Sequence, residues 1–123
     1  IISELFSDHG IFGEELANQA GTSGRTWIID PIDGTRGFMI GLPVWGVLVA
    51  LADGTGPVLG AMSQPYVGER FIGSPDGAVH NDRDGTATRL ATRRCAGIGE
   101  AVIATTSPDG FSEAVMPHFH ALA

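Results

Sequence analysis

The carboxylates best placed for chemistry in this chain are Glu14 and Glu15, together with Asp30 and Asp33 in the string Trp27-Ile28-Ile29-Asp30-Pro31-Ile32-Asp33-Gly34-Thr35. Trp27 to Ile29 is a short apolar run of strand formers, and Pro31 lacks the N–H that would continue a ladder, so the strand is expected to stop at Asp30. A residue before proline prefers extended geometry, so Pro31-Ile32 should turn the chain and bring Asp33 back toward Asp30. Both carboxylates would then face one cavity, and the Ile32 carbonyl, lacking a regular partner, becomes a free acceptor. Gly34-Thr35 falls at an expected helix start, where unpaired N–H groups and the positive end of the dipole favour an anion. Gly34 lets a phosphate come close.

Neighbouring carboxylates repel at neutral pH unless one is protonated or a cation lies between them. An all-oxygen donor set selects a hard ion, magnesium or manganese before zinc. Two such ions ~4 Å apart can activate water and stabilise the leaving oxygen of a phosphate ester. An isolated Asp-x-x-Asp pair is more often a strand-end Asp followed by a plain helix N-cap. Here the whole string, with Gly13-Glu14-Glu15 upstream, favours the metal and phosphate reading.

The string resembles the inositol monophosphatase family of magnesium-dependent, lithium-sensitive phosphatases, whose motif is an apolar run followed by Asp-Pro-(Ile/Leu)-Asp-Gly-Thr, with Gly-Glu-Glu upstream. Matching residue by residue, the resemblance implies that Glu14, Asp30, the Ile32 carbonyl and Asp33 bind two or three magnesium ions. Thr35 would orient the attacking water with Glu14, the Gly34 and Thr35 N–H groups would hold phosphate, and Arg36 would lie beside the substrate. Arg36-Gly37-Phe38, Gly41 to Gly46, Gln64 to Phe71 and Ala104 to Asp109 look most like the bacterial histidinol-phosphate phosphatases of this family. The implied fold is an α/β (α+β) layered sandwich, αβαβα, with a mainly antiparallel sheet covered by helices. The chain would be a single partial domain, 1–100 being the metal-site sheet region and 101–123 the start of the second half. An amino-terminal helical segment with a Lys and an Asp, and a carboxy-terminal Trp/Tyr-Asp element, have no counterpart in these 123 residues, so catalysis by this stretch alone is not expected.

Composition agrees with a globular domain: 43% of residues are hydrophobic and 17% charged. The net charge of −7 argues against nucleic acid as a partner. The single cysteine, Cys95, excludes an intrachain disulfide and suits a cytoplasmic setting. No run approaches the ~20 apolar residues of a membrane span. His118 and His120 point differently on a helix and lack an acidic cluster, which makes them poor zinc ligands.

The elements that must position the site follow from pattern. Ile1 to Phe6 reads as the last turns of a helix, Ile11-Phe12 as a short strand delivering Glu14, and Ala17 to Thr26 as a mobile loop. A short helix should run from Thr35 to about Ile40. Val44 to Leu51 and Pro57 to Met62 should form a hairpin about Asp53-Gly54-Thr55-Gly56. Glu69 to Gly73 and Ala78 to Asn81 read as strands, Asp82 to Gly85 as a surface turn and Thr86 to Thr92 as an edge strand. Ala101 to Thr105 is expected to be an interior strand, followed by a helix capped by Ser107-Pro108, carrying Phe111, Val115 and Phe119 and interrupted at Pro117.

The function expected is magnesium-dependent hydrolysis of a small phosphorylated metabolite, L-histidinol phosphate in histidine biosynthesis. Inositol 1-phosphate or another small ester is the alternative within the family. A noncatalytic metal- or phosphate-binding module is the alternative of another class. A homodimer is compatible with the family's habit of pairing.

Overall fold

The computed structural model describes residues 1–15, 17–105, 107 and 110–122. Two compact units are present, 1–91 and 92–123. In the first, a short helix α1 (Ile2–Leu5) precedes β1 (Gly10–Gly13), β2 (Thr26–Asp33) and helix α2 (Thr35–Met39). Strands β3 (Gly46–Asp53), β4 (Gly56–Gln64), β5 (Glu69–Ser74), β6 (Gly77–Asn81) and β7 (Ala87–Leu90) follow. All seven strands form one sheet in sequence order. Only β1 and β2 run parallel, every other neighbouring pair being antiparallel. The sheet is therefore mainly antiparallel, with few and short helices.

Short turns explain the antiparallel run. Asp53 accepts hydrogen bonds from Thr55 N–H at 2.8 Å and from Thr55 Oγ1 at 2.6 Å, closing the β3–β4 hairpin. Asp82 Oδ1 does the same for Asp84 N–H at 3.0 Å and Thr86 N–H at 2.8 Å before β7. A short polar side chain bonded to the backbone two residues on fixes such turns locally, which is why they were readable from sequence.

Register puts like residues in rows across the sheet. Asp30, Leu48, Met62, Phe71 and His80 are successive partners on one face, beside a row of Ile28, Ala50, Gly60, Gly73 and Ala78. All of these except His80 line an open apolar trough of about 480 Å³ with Asp30 on its wall. The opposite face carries Ile29, Val49, Ala61, Ile72 and Val79. Neither face is sealed, since Ile28 is 42% and Ile72 40% exposed, and among the described residues no large apolar side chain is fully buried. Full burial of such a side chain contributes ~1.5–3 kcal/mol, so the sheet realises only part of what its composition offers.

Three expectations are corrected. Strand β2 does not stop at Asp30 but runs to Asp33, with a register shift between Asp30 and Asp33 that accommodates Pro31, because a bulge has no need of the missing N–H. The 17–26 segment is pinned rather than loose: Gln19 pairs with Ile11, and the N–H groups of Thr22 and Ser23 donate to the Asp8 carbonyl at 2.8 and 3.0 Å. Ala101 to Thr105 joins no ladder, and Val102 is 84% exposed. An apolar run becomes a strand only beside a neighbour offering donors and acceptors.

In the second unit a 3-10 turn (Ile98–Glu100) precedes helix α3 (Met116–Leu122). Pro117 is the second residue of this helix instead of interrupting it, in the first turn where its absent N–H costs nothing. The expected stripe is partly realised, with the Phe111 and Phe119 rings 5.2 Å apart. The Ser107-Pro108 cap involves Pro108, which lies outside the described residues, as does the Thr106-to-Asp109 stretch apart from Ser107. Among the described residues no helix is long and apolar enough to cross a membrane.

The Asp53 turn gives a testable consequence. Its bonds from Thr55, the hydroxyl first and then the backbone N–H, hold the Asp53 carboxyl below its ordinary value of 3.8. A lowered carboxyl stabilises the fold above the unfolded value and loses that contribution as the pH falls through the folded one. Asp53→Ala should therefore lower the urea midpoint at neutral pH, and its deficit against the parent should shrink as the pH drops below the ordinary Asp range.

Candidate active site

The parallel pairing of β1 with β2 ends at Gly13 opposite Ile29. Glu14 extends it by one step, its N–H donating to the Ile29 carbonyl at 3.2 Å, and so arrives beside Asp30. The two carboxyl groups lie within reach of a hydrogen bond, which a proton on either would complete. That bond, and next the Asp30 charge, hold the Glu14 carboxyl above its ordinary value. Desolvation and the charges of Glu15 and Asp33 push in the same direction.

Asp30 is locked by a local turn. Its Oδ1 accepts from the Ile32 N–H at 3.0 Å, across Pro31. The Ile32 carbonyl is not without a partner, as the pattern suggested: it accepts from Thr35 Oγ1 at 2.9 Å. A carbonyl oxygen has a second lone pair, so this bond orients the group without exhausting it. Because the Thr35 proton is directed at Ile32, the hydroxyl oxygen presents lone pairs outward and can accept a hydrogen bond itself. Asp33, the last residue of β2, is exposed and paired with Gly46.

Gly34 makes the change from strand to helix. Its φ is +86°, and a Cβ there would lie 2.8 Å from the Val44 carbonyl oxygen, so both conformation and space exclude a side chain. No side chain caps the start of α2, leaving the first-turn N–H groups without a side-chain acceptor. Arg36 is exposed on α2. The helix is held by Phe38, whose ring meets Trp45 edge to face at 5.0 Å and 74°. Val44 and Trp45 had not been singled out as site-building residues. Their signal was the glycine at the helix start, which announced a close neighbour without naming it.

The structure thus brings Glu14 and Asp30 into direct contact, places Asp33 within electrostatic reach, and ties Ile32 to Thr35. Among the described residues, no three His, Cys, Asp or Glu side chains converge tightly enough to hold a metal by themselves. The donor set is a carboxyl pair plus backbone and hydroxyl oxygens. It suits a hard divalent cation, because a pair close enough to share a proton can exchange that proton for a metal ion.

The chain thus presents a mainly antiparallel sheet with paired carboxylates at a strand-to-helix turn. The model of the inositol monophosphatase family matches residues 1–118, and the chain belongs to that family. It is similar to a chloroplastic bifunctional phosphatase of Arabidopsis thaliana, 38% identical over 120 residues, covering 92% of this chain and 32% of the relative. A histidinol-phosphatase of Chlorobaculum parvum is 47% identical over 70 residues, covering 57% of this chain and 27% of that protein. Among solved structures, an inositol monophosphatase from Zymomonas mobilis superposes with a TM-score of 0.79 at 35% identity, covering 98% of this chain and 45% of the other. The chain spans about a third of the length of these curated relatives.

The carboxyl pair can be tested without substrate. An acid whose folded value is raised leaves the folded state carrying an unfavourable charge at higher pH, a burden relieved as the pH falls and the proton returns. In the absence of metal, Asp30→Asn should raise the urea midpoint at neutral pH, with the advantage over the parent closing in acid. The asparagine oxygen can still accept from Ile32. Magnesium should raise the parent's midpoint and leave the variant's unchanged.

Proposed function

We propose that the protein is a magnesium-dependent phosphomonoesterase acting on a small phosphorylated metabolite, with L-histidinol phosphate the foremost substrate. The observation that carries this reading is the direct apposition of Glu14 and Asp30 beside Asp33 and the Thr35–Ile32 hydrogen bond. The histidinol-phosphatase relative, and motif segments outside the metal string, support the choice of substrate.

Glu14, Asp30, the Ile32 carbonyl and Asp33 would hold the ions. Bound magnesium supplies positive charge for the phosphate oxygens and acidifies water at the site. The chain's own residues do the rest. Thr35, its proton committed to the Ile32 carbonyl, accepts a hydrogen bond from the attacking water and so aims it. Glu14, beside Asp30, takes the proton that this water gives up. The Gly34 and Thr35 N–H groups and the start of α2 face the phosphate, and Arg36 lies at its edge. As the oxygen of water bonds to phosphorus, the ester P–O bond breaks, and the departing alkoxide is protonated from solvent.

Phosphate release by the intact protein with magnesium, from L-histidinol phosphate and inositol 1-phosphate side by side, decides the substrate. A strong preference for the first is expected, and comparable or inositol-biased rates would discard that branch while keeping the mechanism. Asp33→Asn should lower magnesium-dependent turnover by more than ~100-fold, beyond the usual cost of losing an outer-shell partner. Its circular dichroism should be unchanged. Near-parental activity in this variant would overturn the assignment.

A further inference from the structure

The approach of Glu14 to Asp30 depends on β1, a strand of four residues whose backbone ladder does not by itself distinguish one register from another. Slipping β1 by one residue would remake similar N–H···O bonds, yet turn Glu14 to the opposite face. Something outside the ladder must choose. Beside its first rung, Gly10 opposite Thr26, sits His9, the only buried polar side chain among the described residues, 7% exposed. Its Nδ1 accepts a hydrogen bond from Trp27 Nε1 at 3.0 Å, linking residues 18 apart in sequence. Its ring stacks on Phe6 at 5.0 Å and lies over Trp27 at 6.2 Å.

We propose that His9 is a positioning residue for the carboxylate pair: its bond to Trp27 selects the register of β1 on β2 and thereby sets Glu14 against Asp30. This deepens the reading of Glu14 and Asp30 as metal ligands and rests on it. The backbone around His9 gives no room for a compensating shift. A Cβ on Gly21 would lie 2.1 Å from the Gly10 nitrogen and 2.5 Å from the His9 carbonyl carbon, so the 17–24 loop presses directly on this turn. The His9–Trp27 contact is the specific element, because only one register places a ring acceptor opposite an indole donor.

The bond also selects the tautomer. An Nδ1 that accepts carries no proton, so the single imidazole proton is on Nε2. Nε2 lies 4.0 Å from Asp8 Oδ1, too far for a hydrogen bond, and Asp8 is 63% exposed. The other elements against His9 offer no opposing charge. The 17–24 loop contains no charged residue, Glu4 on α1 is turned to the Ile1 amino group, and Arg25 acts on Asp53.

The test uses the intact protein, metal-free and with magnesium. His9→Phe keeps the stacked ring and removes the acceptor, whereas His9→Asn places an amide oxygen near the Nδ1 position and cannot titrate. Trp27→Phe removes the donor, and serves if His9→Phe fails to fold. In the metal-free state, loss of the bond should speed hydrogen exchange at the Glu14 N–H. With magnesium it should weaken affinity by calorimetry 10- to 100-fold, the usual cost of an outer-shell partner. His9→Asn should restore both. Parental Glu14 exchange and parental magnesium affinity in His9→Phe or Trp27→Phe would overturn the proposal. Should the parent itself bind no magnesium, the functional reading fails on its own account, and unchanged Glu14 exchange in the variants then overturns the register role independently.

Discussion

Two carboxyl groups held against each other organise this structure. Glu14 and Asp30 come from different strands, and nothing in their own chemistry favours their meeting, since the Asp30 carboxyl holds that of Glu14 above its ordinary value. The fold imposes the encounter through the β1–β2 pair, the only parallel pair among the described residues. Local strain of this kind is tolerated where a ligand relieves it, and the oxygen-only surroundings favour a hard cation as that ligand.

The surrounding elements read as supports for that encounter. The Pro31 bulge lets β2 continue to Asp33 while Asp30 is held by the Ile32 N–H. The left-handed Gly34 swings the chain into α2 against the Val44 carbonyl, and Phe38 on Trp45 keeps it there. Thr35 is then anchored to the Ile32 carbonyl, so hydroxyl, carbonyl and carboxylates share one corner of the sheet. The hairpins from β3 to β7 supply the platform. Their apolar faces remain partly open, so the sheet's own burial does not exhaust its capacity for packing.

Much of the candidate site's local geometry was legible because it is written in one short string. Asp-Pro-Ile-Asp-Gly-Thr contains its own strand end, turn and helix start, and the hairpin about Asp53 carries its turn signal within four residues. What escaped was nonlocal. The apolar run Ala101 to Thr105 looks like a strand in sequence, but pairing depends on a neighbour that no run can specify for itself. The loop before β2, polar and glycine-rich, suggested mobility, whereas Gly21 is there to pass against Gly10 and His9. The Ile32 carbonyl was expected to be free because a turn breaks the ladder, and the Thr35 hydroxyl three residues on claimed one of its lone pairs. His9 showed no motif at all. Its role emerges only when Trp27, distant in sequence, is brought beside it.

The central claim is that the Glu14–Asp30 pair exchanges a shared proton for a divalent cation. It is tested most directly by calorimetric titration of the metal-free intact protein with magnesium, in buffers of different ionisation enthalpy and at several pH values. The account predicts proton release that grows as the pH falls toward the raised range of Glu14, with affinity weakening in step. Binding whose affinity and proton count are independent of pH, or no binding at all, would contradict it.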